Sequence, residues 1–145
     1  MAITSYCTAA NIQTWFPSVT FSASTKVTLV DVTDMIERYS AVIDNRLSNR
    51  YTTPFTTDYA LAEVKQICVY LVIADVDDIV KQGLGNHGEN TTPTDYRKLA
   101  YDMLERIETG GQDLSDATKN SSSDFYNYNN ENSIEPVIKK DTTQW

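Results

Sequence analysis

The sequence is poor in the residues on which enzymes and metal proteins usually depend. Its 145 residues include one histidine, His87, and two cysteines, Cys7 and Cys68. A zinc site needs several Cys or His ligands, and neither cysteine has a second ligand near it in the sequence. A catalytic histidine needs a nucleophile and an orienting acid, whereas His87 lies in a glycine-rich stretch typical of a solvated loop. We therefore expect no catalytic residue, no metal and no cofactor.

Long apolar runs are also lacking. The sequence has no run of about 18 apolar residues and no basic start followed by an apolar stretch, so we expect neither a membrane span nor a secretory signal. These features favour a soluble protein made in the cytosol. Cys7 and Cys68 stand far apart, and Cys68 lies in an apolar run where a thiol acts as a small buried hydrophobe, so a disulfide is not expected.

Positive charge is scarce. The chain has 12 Lys and Arg against 20 Asp and Glu, which gives a formal net charge of -8. Binding to DNA through its phosphates requires clustered Lys and Arg, so affinity for nucleic acid is disfavoured. An acidic surface favours solubility, and it equally suits a surface that DNA slides past without sticking.

Apolar residues at helical spacing predict four helices. The first helix begins after Thr8 as its N-cap and runs to Phe16, where Pro17 stops it. Ile12, Trp15 and Phe16 share one face, so this arm should pack onto the body or onto a neighbouring subunit. The second helix follows a capping pattern at 28–31, carries a regular apolar stripe and ends near residues 48–51.

The third helix is predicted to be the central element. It begins at Thr57 or Asp58, runs to about Gln82, and has Gly83 available as a left-handed stop. Residues 67–74 are apolar all the way round, which for a soluble helix means burial on every side. Several of them are β-branched, so a strand is conceivable, but the helical spacing of the flanks favours a helix.

The fourth helix has Thr92 as N-cap and Pro93 in its first turn, and it ends at Gly110 and Gly111. Short and medium connections between the helices favour a bundle. The predicted fold is therefore all-α, a small four-helix bundle over residues 1–114 followed by an extended, largely irregular C-terminal arm over residues 115–145.

The C-terminal arm is rich in Ser and Asn and contains few aliphatic residues. Fixing each residue costs about 1–2 kcal/mol, and the arm has too little apolar area to offset this by itself. We hypothesise that it becomes ordered against other subunits. Seven apolar residues would then anchor it: Phe125, Tyr126, Tyr128, Ile134, Val137, Ile138 and Trp145.

Other patterns point to sites more weakly. Residues 83–88 are superficially like a phosphate-binding loop, but they lack the Gly-Lys-Ser/Thr ending and follow a predicted helix. Asp75, Asp77 and Asp78 would suit Ca²⁺ or Mg²⁺, yet they lie on a helix, so a solvated acidic face is favoured. Four tyrosines that could stack on bases fall on or beside apolar stripes and are assigned to the core or an interface: Tyr39, Tyr70, Tyr96 and Tyr101.

Residues 39–55 resemble a pattern found in phage structural proteins. The pattern is a helix that reaches Ile43-Asp44-x-x-Leu47-x-x-Arg50-Tyr51, followed by a short extended piece with a proline, here Pro54. It is typical of small head-tail connector proteins, especially the family typified by a Mu-like prophage protein. The order of the elements agrees over residues 6–114, whereas the long Asn/Ser/Tyr-rich arm departs from that family.

This resemblance implies a virion protein, made in the host cytoplasm, that has no enzymatic chemistry. Such subunits usually form a dodecameric ring beneath the portal protein and above a further neck or tail-completion protein, and DNA passes through the lumen without specific binding. Arg50 would hold an acidic group or the end of the second helix, and Tyr51 would pack at the turn before Pro54; a purely local structural role for these residues is equally open. Residues 125–145 would dock on the portal.

An alternative function belongs to a different class. A small acidic helical protein of this kind could be an accessory or regulatory protein of DNA packaging that acts by protein-protein binding. It would form a defined small oligomer and would have no affinity for the portal.

Overall fold

A computed structural model of the chain describes residues 4–84 and 92–120. The prediction of an all-α, four-helix fold is confirmed. Within these two ranges the only β-type pairing is a single bridge between Tyr51 and Lys119. His87 and the part of the C-terminal arm from residue 121 onward lie outside the described residues. The four helices are α1 (Ala9–Gln13), α2 (Leu29–Leu47), α3 (Asp58–Leu84) and α4 (Thr92–Thr109).

Side-chain caps determine where the first two helices begin. The Thr8 hydroxyl oxygen accepts the backbone N–H of Asn11 at 3.4 Å, and Thr28 accepts that of Asp31 at 3.1 Å. In both cases the third residue returns a bond to the backbone N–H of the capping threonine, at 3.0 and 2.8 Å. These are capping boxes, so the predicted caps are confirmed.

The first helix ends at Gln13 and not at Phe16 as predicted. The backbone N–H groups of Trp15 and Phe16 bond to the carbonyls of Ile12 and Gln13, three residues back, at 3.0 and 3.1 Å. This pattern is tighter than that of an α-helix. The Gln13 side-chain amide also donates to the carbonyls of Phe16 and Val19. The α-helical hydrogen-bonding pattern therefore ends before the chain reaches Pro17.

The third helix lies at the centre of the core. It packs against each of the other three helices. From Ile67 to Ala74 every residue except Tyr70 is buried. The periodicity of the flanks therefore predicted the helix correctly, and burial on all sides explains why residues 67–74 need no polar face.

The third helix continues through Gly83 to Leu84. The prediction that Gly83 stops the helix in a left-handed conformation is therefore wrong. Glycine permits that conformation without requiring it, and inside a helix it costs only about 1 kcal/mol relative to alanine. With 27 residues, α3 is about 40 Å long.

Gly110 ends α4, as predicted, in the left-handed conformation with φ of 89°. A Cβ atom on Gly110 would lie 2.5 Å from Nη1 of Arg50. That same nitrogen donates to the carbonyl of Ile107, in the last turn of α4, at 3.1 Å. Glycine at this position thus serves both the backbone conformation and the close approach of the guanidinium group.

The folded body continues beyond the predicted boundary at Leu114, whose side chain is fully buried. The Asp116 carboxylate accepts the backbone N–H groups of Tyr59 and Ala60, at 2.7 and 3.0 Å, and so caps the start of α3. The Asn120 amide donates to two carbonyls of the turn after α2, at 2.5 and 3.1 Å. Residues 115–120 therefore belong structurally to the body.

Substitution of Gly110 by alanine tests how α4 ends. The alanine would have to adopt a positive φ and would displace Arg50 from the Ile107 carbonyl, so we expect G110A to lower the free energy of unfolding by about 2 kcal/mol in urea denaturation. Gly111→Ala is the matched control, because the nearest atom to a Cβ there is the Arg106 carbonyl oxygen at 3.6 Å. Equal losses in the two variants would contradict this account.

Candidate functional site

Three aromatic side chains from different parts of the fold meet beside the start of α4. Trp15, which follows α1, packs edge-on against Tyr70 of α3 and Tyr96 of α4, with ring centroids 6.2 and 5.6 Å apart. The rings of Tyr70 and Tyr96 are 5.3 Å apart. Contacts of this kind contribute roughly 0.5–1.5 kcal/mol each beyond the burial of area. We call these three residues the aromatic cluster.

An open groove of about 230 Å³ adjoins the aromatic cluster. The groove is smaller than the roughly 300–1,000 Å³ of most small-molecule pockets, and it could hold one large apolar side chain of another protein. An ion pair between Asp77 and Lys81, with the oxygen and nitrogen 2.7 Å apart, gives its lining a polar part. We call it the Trp15 groove, and its lining residues are Trp15, Phe16, Ile73, Asp77, Lys81 and Tyr96.

The apolar face of the α1 arm is only partly covered. Ile12 is fully buried, whereas 43% of Trp15 stays exposed. The sequence predicted that this face packs on the body or on a neighbouring subunit; Ile12 packs on the body, and no described residue covers the outer part of Trp15. Periodicity could indicate the arm's apolar face, but it could not show that Tyr70 and Tyr96 would complete a groove there.

Charged side chains join α2, α3 and α4 on the surface near the groove. Arg97 donates from Nη2 to Asp75 and to Asp78, in both cases at 2.8 Å. Arg38 and the Tyr39 hydroxyl also donate to Asp75, at 2.6 and 2.7 Å. The hydrogen bonds that Arg97 donates to Asp78 and to Asp75 raise the pKa of its guanidinium. Burial and the bond to Asp75 raise the pKa of Tyr39 to about 12.

The three carboxylates near the end of α3 are therefore not simply a solvated acidic face, as the sequence suggested. Asp75, Asp77 and Asp78 each pair with an Arg or Lys side chain of this chain. In the part of the chain that the structure describes, no group of three or more His, Cys, Asp or Glu residues could hold a metal ion. The pairs of Asp75 and Asp78 connect α3 to α2 and α4 beside the aromatic cluster, whereas the Asp77–Lys81 pair lies within α3.

At the end of the bundle farther from the Trp15 groove, the turn after α2 contacts the last turn of α4 and the residues that follow it. Arg50 donates to the carbonyl of Ile107 at 3.1 Å and to the Asp113 carboxylate at 3.3 Å. It thus holds an acidic group and the end of α4, and not the end of α2. The fully buried Tyr51 donates its hydroxyl to Asp113 at 2.6 Å and accepts the Leu114 N–H at 3.2 Å.

Pro54 is exposed, and it follows Thr53 through a cis peptide bond. The three predicted turn residues, Arg50, Tyr51 and Pro54, lie in the short segment that connects α2 to α3. The structure does not bring them to the Trp15 groove. The seven proposed partner-binding residues of the C-terminal arm all lie outside the described residues: Phe125, Tyr126, Tyr128, Ile134, Val137, Ile138 and Trp145.

Comparison with known proteins identified no relative of this chain. No protein-family model, curated protein or solved structure matches the chain. None of the helices in residues 4–84 and 92–120 has the length and apolar character needed to cross a membrane. The groove, the turn after α2 and the sequence pattern at residues 39–55 are the features that bear on function.

Low pH should weaken the contacts that Asp113 makes with Arg50, Tyr51 and Lys119. Hydrogen bonds from Lys119 and then Tyr51 lower the pKa of this carboxyl below its ordinary value of 3.8. A lowered pKa means that the carboxylate stabilises the fold above about pH 4, and that this contribution is lost as the pH falls through the folded-state pKa. We therefore expect D113N to cost about 1 kcal/mol at pH 7 and much less at pH 3.

The measurement is urea denaturation of both proteins from pH 7 to pH 3. Asp102→Asn is the matched control, because Asp102 is exposed on α4 and none of the contacts described above involves it. A D113N protein whose deficit is the same at pH 3 as at pH 7 would contradict the assigned role of the carboxylate.

Proposed function

We propose that this chain is a structural virion protein, a head-tail connector (adaptor) subunit that forms a ring between the portal and the next neck or tail component and extends the DNA channel. The pattern at residues 39–55 and the order of four helices support it. The single observation that carries an assembly role is the Trp15 groove. It is an aromatic surface, partly exposed and built from three segments of the chain, where a partner could bind.

The groove has the chemistry of a protein-protein contact. Tryptophan, tyrosine and arginine contribute most often to the residues that dominate binding energy, and Trp15 and Tyr96 line this groove. The ion pairs of Arg97 hold α4 against α3 behind it, so little ordering is needed when a partner binds. A neighbouring subunit inserts an apolar side chain here, and the ring forms when many such weak contacts act together on the portal.

The acidic composition agrees with a channel wall. With a net charge of -8, the subunit repels the phosphates of DNA and has no clustered Lys and Arg to neutralise them. Four of its arginines are already engaged with carboxylates of the same chain: Arg38, Arg46, Arg50 and Arg97. DNA would therefore pass through the lumen without specific binding.

The C-terminal arm provides the proposed link to the portal. The last described residues are attached to the turn after α2 and to the start of α3. The Trp15 groove lies near Asp77 of α3, about 25 Å farther along that helix. The groove and the end of the described chain are therefore separate surfaces of the body, and we assign the groove to a ring neighbour and residues 121–145 to the portal.

Removal of residues 121–145 tests the link to the portal. Because residues 115–120 cap α3 and bond to the turn after α2, we expect the shortened protein to keep the urea midpoint of the full chain. We expect its co-purification with the portal protein of the same phage to fall at least about 10-fold, since the apolar anchors are lost. A truncation after Leu114 serves as a control, because it also removes the Asp116 cap and should destabilise the body itself.

Undiminished binding of the portal by the shortened protein would overturn the proposed role of the arm. A full-length chain that forms a defined small oligomer and has no affinity for the portal would instead favour the accessory or regulatory protein of DNA packaging.

Replacement of Trp15 by alanine tests the groove. Loss of the aromatic contact surface should weaken ring assembly on the portal at least about 10-fold, measured as ring occupancy in electron microscopy. Tyr59→Ala is the matched control, because Tyr59 is equally exposed, at 43%, and lies at the other end of α3. Equal assembly by the two variants would exclude the groove as the ring interface.

A further inference from the structure

Two cysteines that are far apart in the sequence lie side by side in the core. The Sγ atoms of Cys7 and Cys68 are 3.5 Å apart, and the Cys7 thiol donates to the Cys68 sulfur. Both residues are buried, with 3% and 0% of their areas exposed. Both thiols are free, and they lie in contact, although they are distant in the sequence, because the segment before α1 folds back onto the middle of α3.

Several hydrogen bonds hold this segment in place. The Tyr6 backbone N–H donates to the Ser40 hydroxyl at 3.1 Å. The Tyr6 hydroxyl donates to Asp44 and accepts the backbone N–H of Phe55 at 3.1 Å. Ser40 also lies 3.7 Å from the Cys68 sulfur. The residue immediately before Cys7 is thus attached to α2 and to the turn that precedes α3, and this fixes the position of the thiol.

We propose that Cys7 and Cys68 form an intramolecular disulfide site, which a small disulfide such as oxidised glutathione converts from the dithiol to the disulfide. In the first step one protein thiolate attacks a glutathione sulfur, and a mixed disulfide forms as one reduced glutathione leaves. In the second step the other protein thiolate attacks the protein sulfur of that mixed disulfide and releases a second reduced glutathione. The cysteine pair loses two protons and two electrons, and the two glutathione thiols receive them.

Burial should make the reaction slow in the folded protein. The hydrogen bond to Cys68 and then burial raise the pKa of the Cys7 thiol, whereas the hydrogen bond from Cys7 lowers the pKa of Cys68. Cys68 is therefore the thiol that ionises more readily, but both sulfurs are buried, so no oxidant reaches either until residues 4–7 lift away. Once formed, the bond closes a loop that contains α1, α2 and the first part of α3. It would hold the α1 arm, and with it Trp15, on the body. This inference does not depend on the proposed assembly role.

The test uses the full-length reduced protein, incubated without denaturant at pH 8 with oxidised glutathione. Mass spectrometry should show a loss of about 2 Da and no retained glutathione, and a non-reducing peptide map should join the peptides that contain Cys7 and Cys68. The oxidised protein should melt about 10 °C higher than the reduced one, since a disulfide across a loop of this length restricts the unfolded chain. Reduction with dithiothreitol should abolish the difference.

Cys7→Ser is the matched variant, because Cys7 precedes the first helix and its replacement leaves α3 intact. It should retain one glutathione or remain unmodified, and its melting temperature should not rise. Three results with the unaltered chain would each overturn the proposal. They are two thiols that stay free after oxidation of the folded protein, a stable glutathione adduct, or a disulfide that joins two chains.

Discussion

The burial of the middle of α3, residues 67–74, is the constraint on which the rest of the structure depends. A helix that is apolar all round over residues 67–74 cannot face water, so each surrounding element must supply a covering surface. The second and fourth helices cover two of its faces, and the segment before α1 covers a third through Cys7. Because so much of the surroundings is needed, the buried apolar residues of the described ranges, 4–84 and 92–120, form one core.

Distant residues complete the helix ends that local sequence leaves open. Asp116 caps the start of α3 from more than fifty positions away, and Arg50 reaches the last turn of α4 across a similar separation. Buried Tyr51 links both regions through Asp113 and the Leu114 backbone. The helices and their connections therefore stabilise one another, and loss of one of these bonds should loosen both ends that it joins.

Local patterns predicted the features that depend on local physics. The N-cap at Thr8, the capping box at Thr28, the buried centre of α3 and the stop at Gly110 follow from local sequence pattern and backbone preference. Features that depend on contacts between distant segments could not be predicted in that way. These include the pairing of the two thiols, the attachment of residues 115–120, and the meeting of Trp15 with two tyrosines. Gly83 shows the limit of propensity, since its conformational freedom allows two outcomes and only the surrounding structure selects one.

The Trp15 groove and Asn120 lie near opposite ends of α3, which gives the described body a direction. The first end presents the aromatic surface, and the second end holds Asn120, the last described residue of the chain. A contact that joins the first end of one copy to the second end of another is heterologous. In a row of such copies, one outermost copy has an unoccupied first end and the other has an unoccupied second end. Such pairing cannot stop at a symmetric dimer: it either closes into a ring, if the rotation between copies divides a full circle, or continues as a helical filament.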